Sequence, residues 1–194
     1  METFIVNGKE FKMATKWDEI TLRQYISICK LEENKELYPI PEYLGLKRIE
    51  ILCNAQDGEL DELPLSEWER INTGLNDLLN HKPEPRLVDH VNINGVDYST
   101  KRITNLFELT SGEYISIKTI QKQSDSVYDT IHKVLAVLIR PATKNVDHET
   151  GKEEWVVEKF DTKNLEYRAE LFLDNLNATI SFTSLDFFLN GSNS

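Results

Sequence analysis

The sequence predicts an α+β fold dominated by helices and built as two related units. Three observations predict it. An Asn-Gly pair sits between alternating apolar residues twice, at Asn7-Gly8 and Asn94-Gly95. Each pair is followed by a helix-start signal. The two stretches also share nine identical residues in register: Asn7/Asn94, Gly8/Gly95, Thr15/Thr104, Glu19/Glu108, Thr21/Thr110, and Tyr25-Ile26-Ser27-Ile28 against Tyr114-Ile115-Ser116-Ile117. One two-residue insertion, between the hairpin and Thr104, aligns them.

The elements follow in order. Asn-Gly between apolar runs marks a hairpin, because a two-residue type I′ turn needs positive φ at both central positions. Thr21 with Gln24, and Thr110 with Glu113, each fit a helix capping box. On the first helix Leu22, Tyr25, Ile26 and Cys29 share one face. On its counterpart Tyr114, Ile117 and Ile120 do so, with Ile115 alongside. Pro39 and Pro41 break any helix after the polar stretch Glu32–Glu36. A second helix is expected from Leu46 to Cys53, with Ile49, Leu52 and Cys53 inward. Asp57-Gly58 marks a turn. Ser66 with Glu69 reads as a further capping box, opening a helix whose apolar side carries Trp68, Ile71, Leu75, Leu78 and Leu79.

The boundary between units is placed at the proline-rich stretch Lys82-Pro83-Glu84-Pro85, since each proline excludes helix from the residue before it. This gives a first unit at 1–82, a linker at 83–87 and a second unit at 88–194. In the second unit an amphipathic helix from Ser126 to Ile139 carries Val127, Ile131, Val134, Leu135 and Leu138, and Arg140-Pro141 stops it. Residues 142–154 read as a long polar loop, followed by a short strand from Trp155 to Phe160. A last clear helix, Asn164 to Leu176, turns Leu165, Ala169, Phe172, Leu173 and Leu176 inward. The end is aromatic. Phe182, Leu185, Phe187, Phe188 and Leu189 either pack on their own core or form a C-terminal arm that docks onto a neighbouring subunit, and they are the candidate interface.

Composition narrows the function. The chain has 194 residues, 40% hydrophobic and 28% charged, enough apolar content to bury a core. Its formal net charge is -11, from 33 acidic and 22 basic residues. Phosphate backbones repel such a surface, and no basic run carries interleaved aromatics, so direct sequence-specific nucleic-acid binding is not expected. Acidic charge would suit the wall of a DNA conduit, which must not grip the passing duplex, but it suits many other proteins equally. No apolar run is long enough for a transmembrane helix, and Met1–Gly8 lacks the basic and apolar regions of a secretion signal. Cys29 and Cys53 read as buried free thiols, consistent with a reducing cytoplasm.

No catalytic signature emerges. The histidines His81, His90, His132 and His148 are not at metal-ligand spacing, and no Cys-x-x-Cys is present. His81 and His90 are expected to be solvated, His132 to lie on a polar face, and Asp147-His148-Glu149 to be a loop tip rather than a metal site. Gly-x-Gly and Gly-x-Ser-x-Gly are both missing. Adjacent acids such as Asp18-Glu19 and Glu153-Glu154 diverge on a helix or are solvated in a loop, unlike an acid-base pair across a cleft. No catalytic residue, cofactor or metal ligand is therefore assigned.

The hairpin Phe4-x-Val6-Asn7-Gly8-Lys9-Glu10-Phe11 and the following Trp17-Asp18-Glu19-Ile20-Thr21-Leu22-x-Gln24-Tyr25-Ile26 resemble small tail proteins of tailed bacteriophages. Those of phages infecting Bacteroidetes, including crAss-like phages, come nearest. Tyr167-Arg168-Ala169-Glu170-Leu171-Phe172 and the Phe187-Phe188 pair extend the resemblance. It implies a non-enzymatic virion protein made in the bacterial host cytoplasm. The implied role is a ring or hub subunit of the portal-to-tail region, assembled in cyclic copies with other tail or neck proteins. A tail assembly chaperone missing from the mature virion is the alternative. A generic protein-binding adaptor is what remains without the resemblance.

Overall fold

In the computed structural model the chain opens on the expected hairpin, and residues 1–81, 88–103, 108–146 and 151–180 are described. Strand β1 (Glu2–Val6) pairs antiparallel with β2 (Lys9–Met13), Val6 facing Lys9 across the turn. Asn7 and Gly8 take φ of 50° and 78°, and Asn94 and Gly95 take 52° and 82°. These are the left-handed conformations that a type I′ turn requires. The fold divides into two units, Met1–Glu84 with Asn177–Thr179, and Pro85–Leu176 with Ile180–Ser194. The linker assigned to 83–87 lies outside the described residues.

In unit 1, α1 (Leu22–Glu33) is capped by Thr21, and α2 (Pro41–Cys53) and α3 (Leu65–Asn80) complete the helical part. Helix α2 starts five residues before the expected Leu46, with Pro41 in its first turn. Proline breaks a helix interior, but at the first position its missing N–H is one the helix never uses, so Pro41 begins the helix instead of blocking it. Helix α2 ends at Asn54, in the left-handed conformation with φ of 52°. The capping box expected from Ser66 and Glu69 does not form. Helix α3 begins at Leu65 after Pro64, with no side-chain cap, and Ser66 falls inside the first turn. The core joins both faces of this unit. Phe4 and Phe11 stack across the hairpin, and Ile20, Leu22, Ile49, Ile71 and Leu75 are all fully buried. The segment Asn177–Thr179 also belongs here: Asn177 bridges to Thr21, and Ala178 N–H donates to Ile20 O.

Unit 2 repeats the order and adds to it. Strands β3 (His90–Ile93) and β4 (Val96–Ser99) form the hairpin, and α4 (Ser111–Gln121) follows with Thr110 as its cap. Helix α5 (Val127–Leu138), capped by Ser126, is the central core element, buried from Thr130 to Leu138 except at His132 and Lys133. Where a polar loop was expected at 142–154, the chain makes β5 (Arg140–Val146) and then β6 (Glu153–Val157). The sheet order is β3-β4-β5-β6, all antiparallel. Arg140-Pro141 does end α5, but it also starts this strand. Pro141 stands opposite Tyr98, whose own peptide groups turn to β3, so no bond to β4 is lost by its missing N–H. Helix α6 (Leu165–Asn175) closes the unit, with Ala169, Phe172 and Leu173 buried and Phe172 set edge-on to Tyr98.

Two further expectations are corrected. His90 is half-buried and stacks on Trp155 with ring centroids 4.1 Å apart, rather than being solvated. On α4, Glu113, Ile117 and Ile120 face inward, while Tyr114 and Ile115 are 55% and 62% exposed. Their counterparts Tyr25 and Ile26 are 8% and 7% exposed. The identical tetrapeptide thus meets two different environments.

Candidate functional site

A cleft of about 470 Å³ opens in unit 1 between β2, the start of α1 and the end of α2. One wall is strand β2, from Lys9 to Lys12. The other is formed by Thr21, Gln24, Leu52, Cys53 and Asn54. Local sequence explains the wall. Thr21 caps α1, Gln24 N–H donating to Thr21 Oγ1 and Thr21 N–H donating to Gln24 Oε1 at 2.9 Å. Such a cap is worth ~1 kcal/mol. It holds Gln24 inward at 5% exposure, where its Nε2 donates to Leu52 O at 3.0 Å and ties α1 to the end of α2.

The charges around this cleft are mostly engaged. Glu19 accepts from the Met1 ammonium, from Thr15 N–H and from the Thr15 hydroxyl, which holds its carboxyl down at about 2. Lys9 donates to Glu59 Oε1 at 2.5 Å. Lys12 lies 3.6 Å from Glu10. Burial pushes the Cys53 thiol up to about 12, with a smaller contribution from Glu2, so it is neutral and poorly nucleophilic at physiological pH. What the cleft offers a ligand is the peptide groups of β2, beside Lys9 and Lys12 that Glu59 and Glu10 already meet.

The matching position in unit 2 is closed. Thr110 caps α4 with the same reciprocal box, its N–H and hydroxyl donating to Glu113 Oε2 at 2.7 and 2.8 Å. Glu113, the counterpart of Gln24, is fully buried and pairs with Arg140 Nη2 at 2.8 Å. Arg140 sits on β5, opposite Ser99, and is itself 2% exposed. One capping position therefore holds a neutral amide beside an open cleft, and the other holds a buried ion pair beneath an added strand.

A second charged cluster lies in unit 1. Lys47 Nζ donates to Glu50 Oε2 at 2.7 Å and to Asp57, and lies 4.8 Å from the centre of the Tyr43 ring. Burial alone would lower the Lys47 ammonium, but the Asp57 and Glu50 carboxylates outweigh it and raise it. Glu50 Oε1 accepts from Gly58 N–H at 2.9 Å, so the cluster fastens the loop after α2. Its geometry is that of a structural clamp.

The candidate interface residues Phe182, Leu185, Phe187, Phe188 and Leu189 lie outside the described residues, as do Asp147, His148 and Glu149. His81, His90 and His132 are dispersed, and no group of three or more His, Cys, Asp or Glu side chains converges among the described residues. Cys29 and Cys53 are free thiols, each half-buried. Sequence reasoning found both capping boxes but missed the cleft and the strand that fills its counterpart. The available signal was the exchange of Gln24 for Glu113 and of Lys12 for Ser99 between the repeats. Comparison with protein-family models, with curated proteins and with solved structures found no match.

Proposed function

We propose that this protein is a non-enzymatic virion component of a tailed bacteriophage, a ring or hub subunit of the portal-to-tail region. The resemblance of its hairpin and first helix to small phage tail proteins suggests the setting. The observation that carries the structural role is the fate of the repeated tetrapeptide. Tyr25 and Ile26 are core residues in unit 1, while Tyr114 and Ile115 stand exposed together on α4. An aromatic and a β-branched side chain side by side on an otherwise polar helix face suit contact with another chain. A subunit of a closed ring needs such a patch and a different surface to receive its neighbour's, because a cyclic interface is heterologous. The acidic charge of -11 is compatible with lining a DNA passage.

The test is quantitative mass spectrometry of purified particles, beside native mass spectrometry of the isolated protein. Presence in the particle at a fixed multiple of the portal is the expected result. Absence from the particle, with a soluble complex containing another tail protein in infected lysate, would make it a tail assembly chaperone. Strand β2, which pairs with β1 alone among the described residues and forms one wall of the cleft, is the observation that favours this second reading, since a chaperone holds extended client segments.

A further inference from the structure

The two hairpins differ in what lies against their second edge. In a two-residue hairpin the residues flanking the turn exchange hydrogen bonds, and bonded and non-bonded pairs then alternate. From the register, Lys9, Phe11 and Met13 turn their peptide groups to β1, while Glu10 and Lys12 turn theirs the other way. In unit 2 the same alternation points Asp97 and Ser99 away from β3, and β5 takes that edge, with Arg140 opposite Ser99. In unit 1, among the described residues, β2 pairs with β1 alone, and its second edge faces the cleft. Phe11 and Tyr98 occupy the same position and are both buried, so the two strands sit alike on their own cores.

We infer that β2 is an acceptor strand for an extended segment of a partner protein, which adds to it antiparallel as β5 adds to β4 and places an acidic side chain opposite Lys12. Strand addition supplies affinity through main-chain bonds and selectivity through alternate side chains. The selectivity follows from the repeat. Where unit 2 has Ser99 and the carboxylate of Glu113, it takes a cation, Arg140. At the same two places unit 1 has an ammonium, Lys12, and an amide, Gln24, whose oxygen already accepts from Thr21 N–H and whose Nε2 already donates to Leu52 O. A cation opposite Lys12 would face like charge with no buried carboxylate beneath it, only Glu10 and Glu19, which Lys12 and the Met1 ammonium already engage, whereas a carboxylate there gains Lys12. Opposite charges facing each other across a sheet stabilise it and like charges destabilise it. The inference does not depend on the phage reading, and its test uses the purified chain alone.

The experiment is heteronuclear NMR on the full chain with synthetic peptides of the β5 sequence from Ile139 to Val146. The residue at the Arg140 position is Arg, Leu or Glu. The Glu peptide is expected to shift the amides of Glu10 and Lys12, slow their hydrogen exchange, and bind about tenfold more tightly than the Arg peptide. N-methylation on the peptide edge facing β2 should abolish binding, and on the other edge should leave it intact. In the K12S/Q24E double variant the order should reverse, with Arg preferred. No shift at Glu10 and Lys12 with any peptide at millimolar concentration overturns the inference, and Lys9 and Lys12 are then charges that blunt an edge. An unchanged peptide order in the double variant overturns the acidic specificity. Protection of both amides in the free chain also overturns it, since the edge is then taken by this chain's own segment or by a second copy, which dilution distinguishes.

Discussion

Breaking the buried pair in unit 2 is the sharpest test of how the two units differ. Glu113 is fully buried and Arg140 is 2% exposed, 2.8 Å apart. In Arg140→Met the Glu113 carboxylate keeps its bonds from Thr110 but loses its counter-charge. In Glu113→Gln the guanidinium is left buried without its carboxylate. Each single change is expected to cost ~3–5 kcal/mol, the usual cost of an uncompensated buried charge. The double variant restores the neutral arrangement that unit 1 already uses at Gln24. It should lie within ~2 kcal/mol of the parent, a coupling of at least ~4 kcal/mol. Urea denaturation of 5-fluorotryptophan-labelled protein followed by fluorine NMR is the assay, because Trp155 reports unit 2 while Trp17 and Trp68 report unit 1. Additive single effects, or a loss that appears equally at Trp17, would refute the reasoning.

The remaining predictions rest on separate elements. Thr21→Ala and Thr110→Ala should each cost ~1 kcal/mol in denaturant, because each removes the side-chain half of a complete capping box. Gly8→Ala, at φ of 78°, should cost ~1 kcal/mol, while Gly74→Ala, where an added Cβ meets nothing within 4 Å in α3, should raise stability by a similar amount. Above pH 9 the unfolded chain releases the Cys53 proton while the folded chain keeps it to about 12, so stability should fall as pH rises through that window. Cys53→Ser should remove that part of the slope in paired denaturant titrations. Deleting residues 181–194 should abolish assembly if the aromatic end is an arm, and a stable monomer with unchanged assembly by native mass spectrometry would rule the arm out.

What was legible in the sequence was chemistry confined to a few neighbouring residues. Asn-Gly can turn only one way between two strands, and Thr with Gln or Glu three residues on can close a capping box locally, so both copies of each were readable. Pro41 was misread because a proline means opposite things at the first position and in the interior of a helix, and only the helix itself says which applies. Strand β5 was missed because Thr143, Lys144, Asn145 and Val146 are exposed and lack apolar alternation; their pairing with β6 and that of Arg140 and Pro141 with β4 is long-range. The Ser66 box failed by competition. A helix already started behind Pro64 leaves Ser66 no cap to make.

The exposed Tyr114 and Ile115 and the cleft beside β2 share one cause. Each hairpin-plus-helix unit finishes its core with different surroundings. Unit 2 completes its sheet with β5 and β6, and burying Arg140 requires the carboxylate of Glu113. Unit 1 completes its core with α2 and α3; Ile26 is buried there, and β2 borders a cleft. Identical residues such as Tyr-Ile-Ser-Ile therefore cannot be assigned one role by sequence identity. The burial each copy receives is set by elements elsewhere in the chain, and each copy leaves uncovered the surface that the other covers.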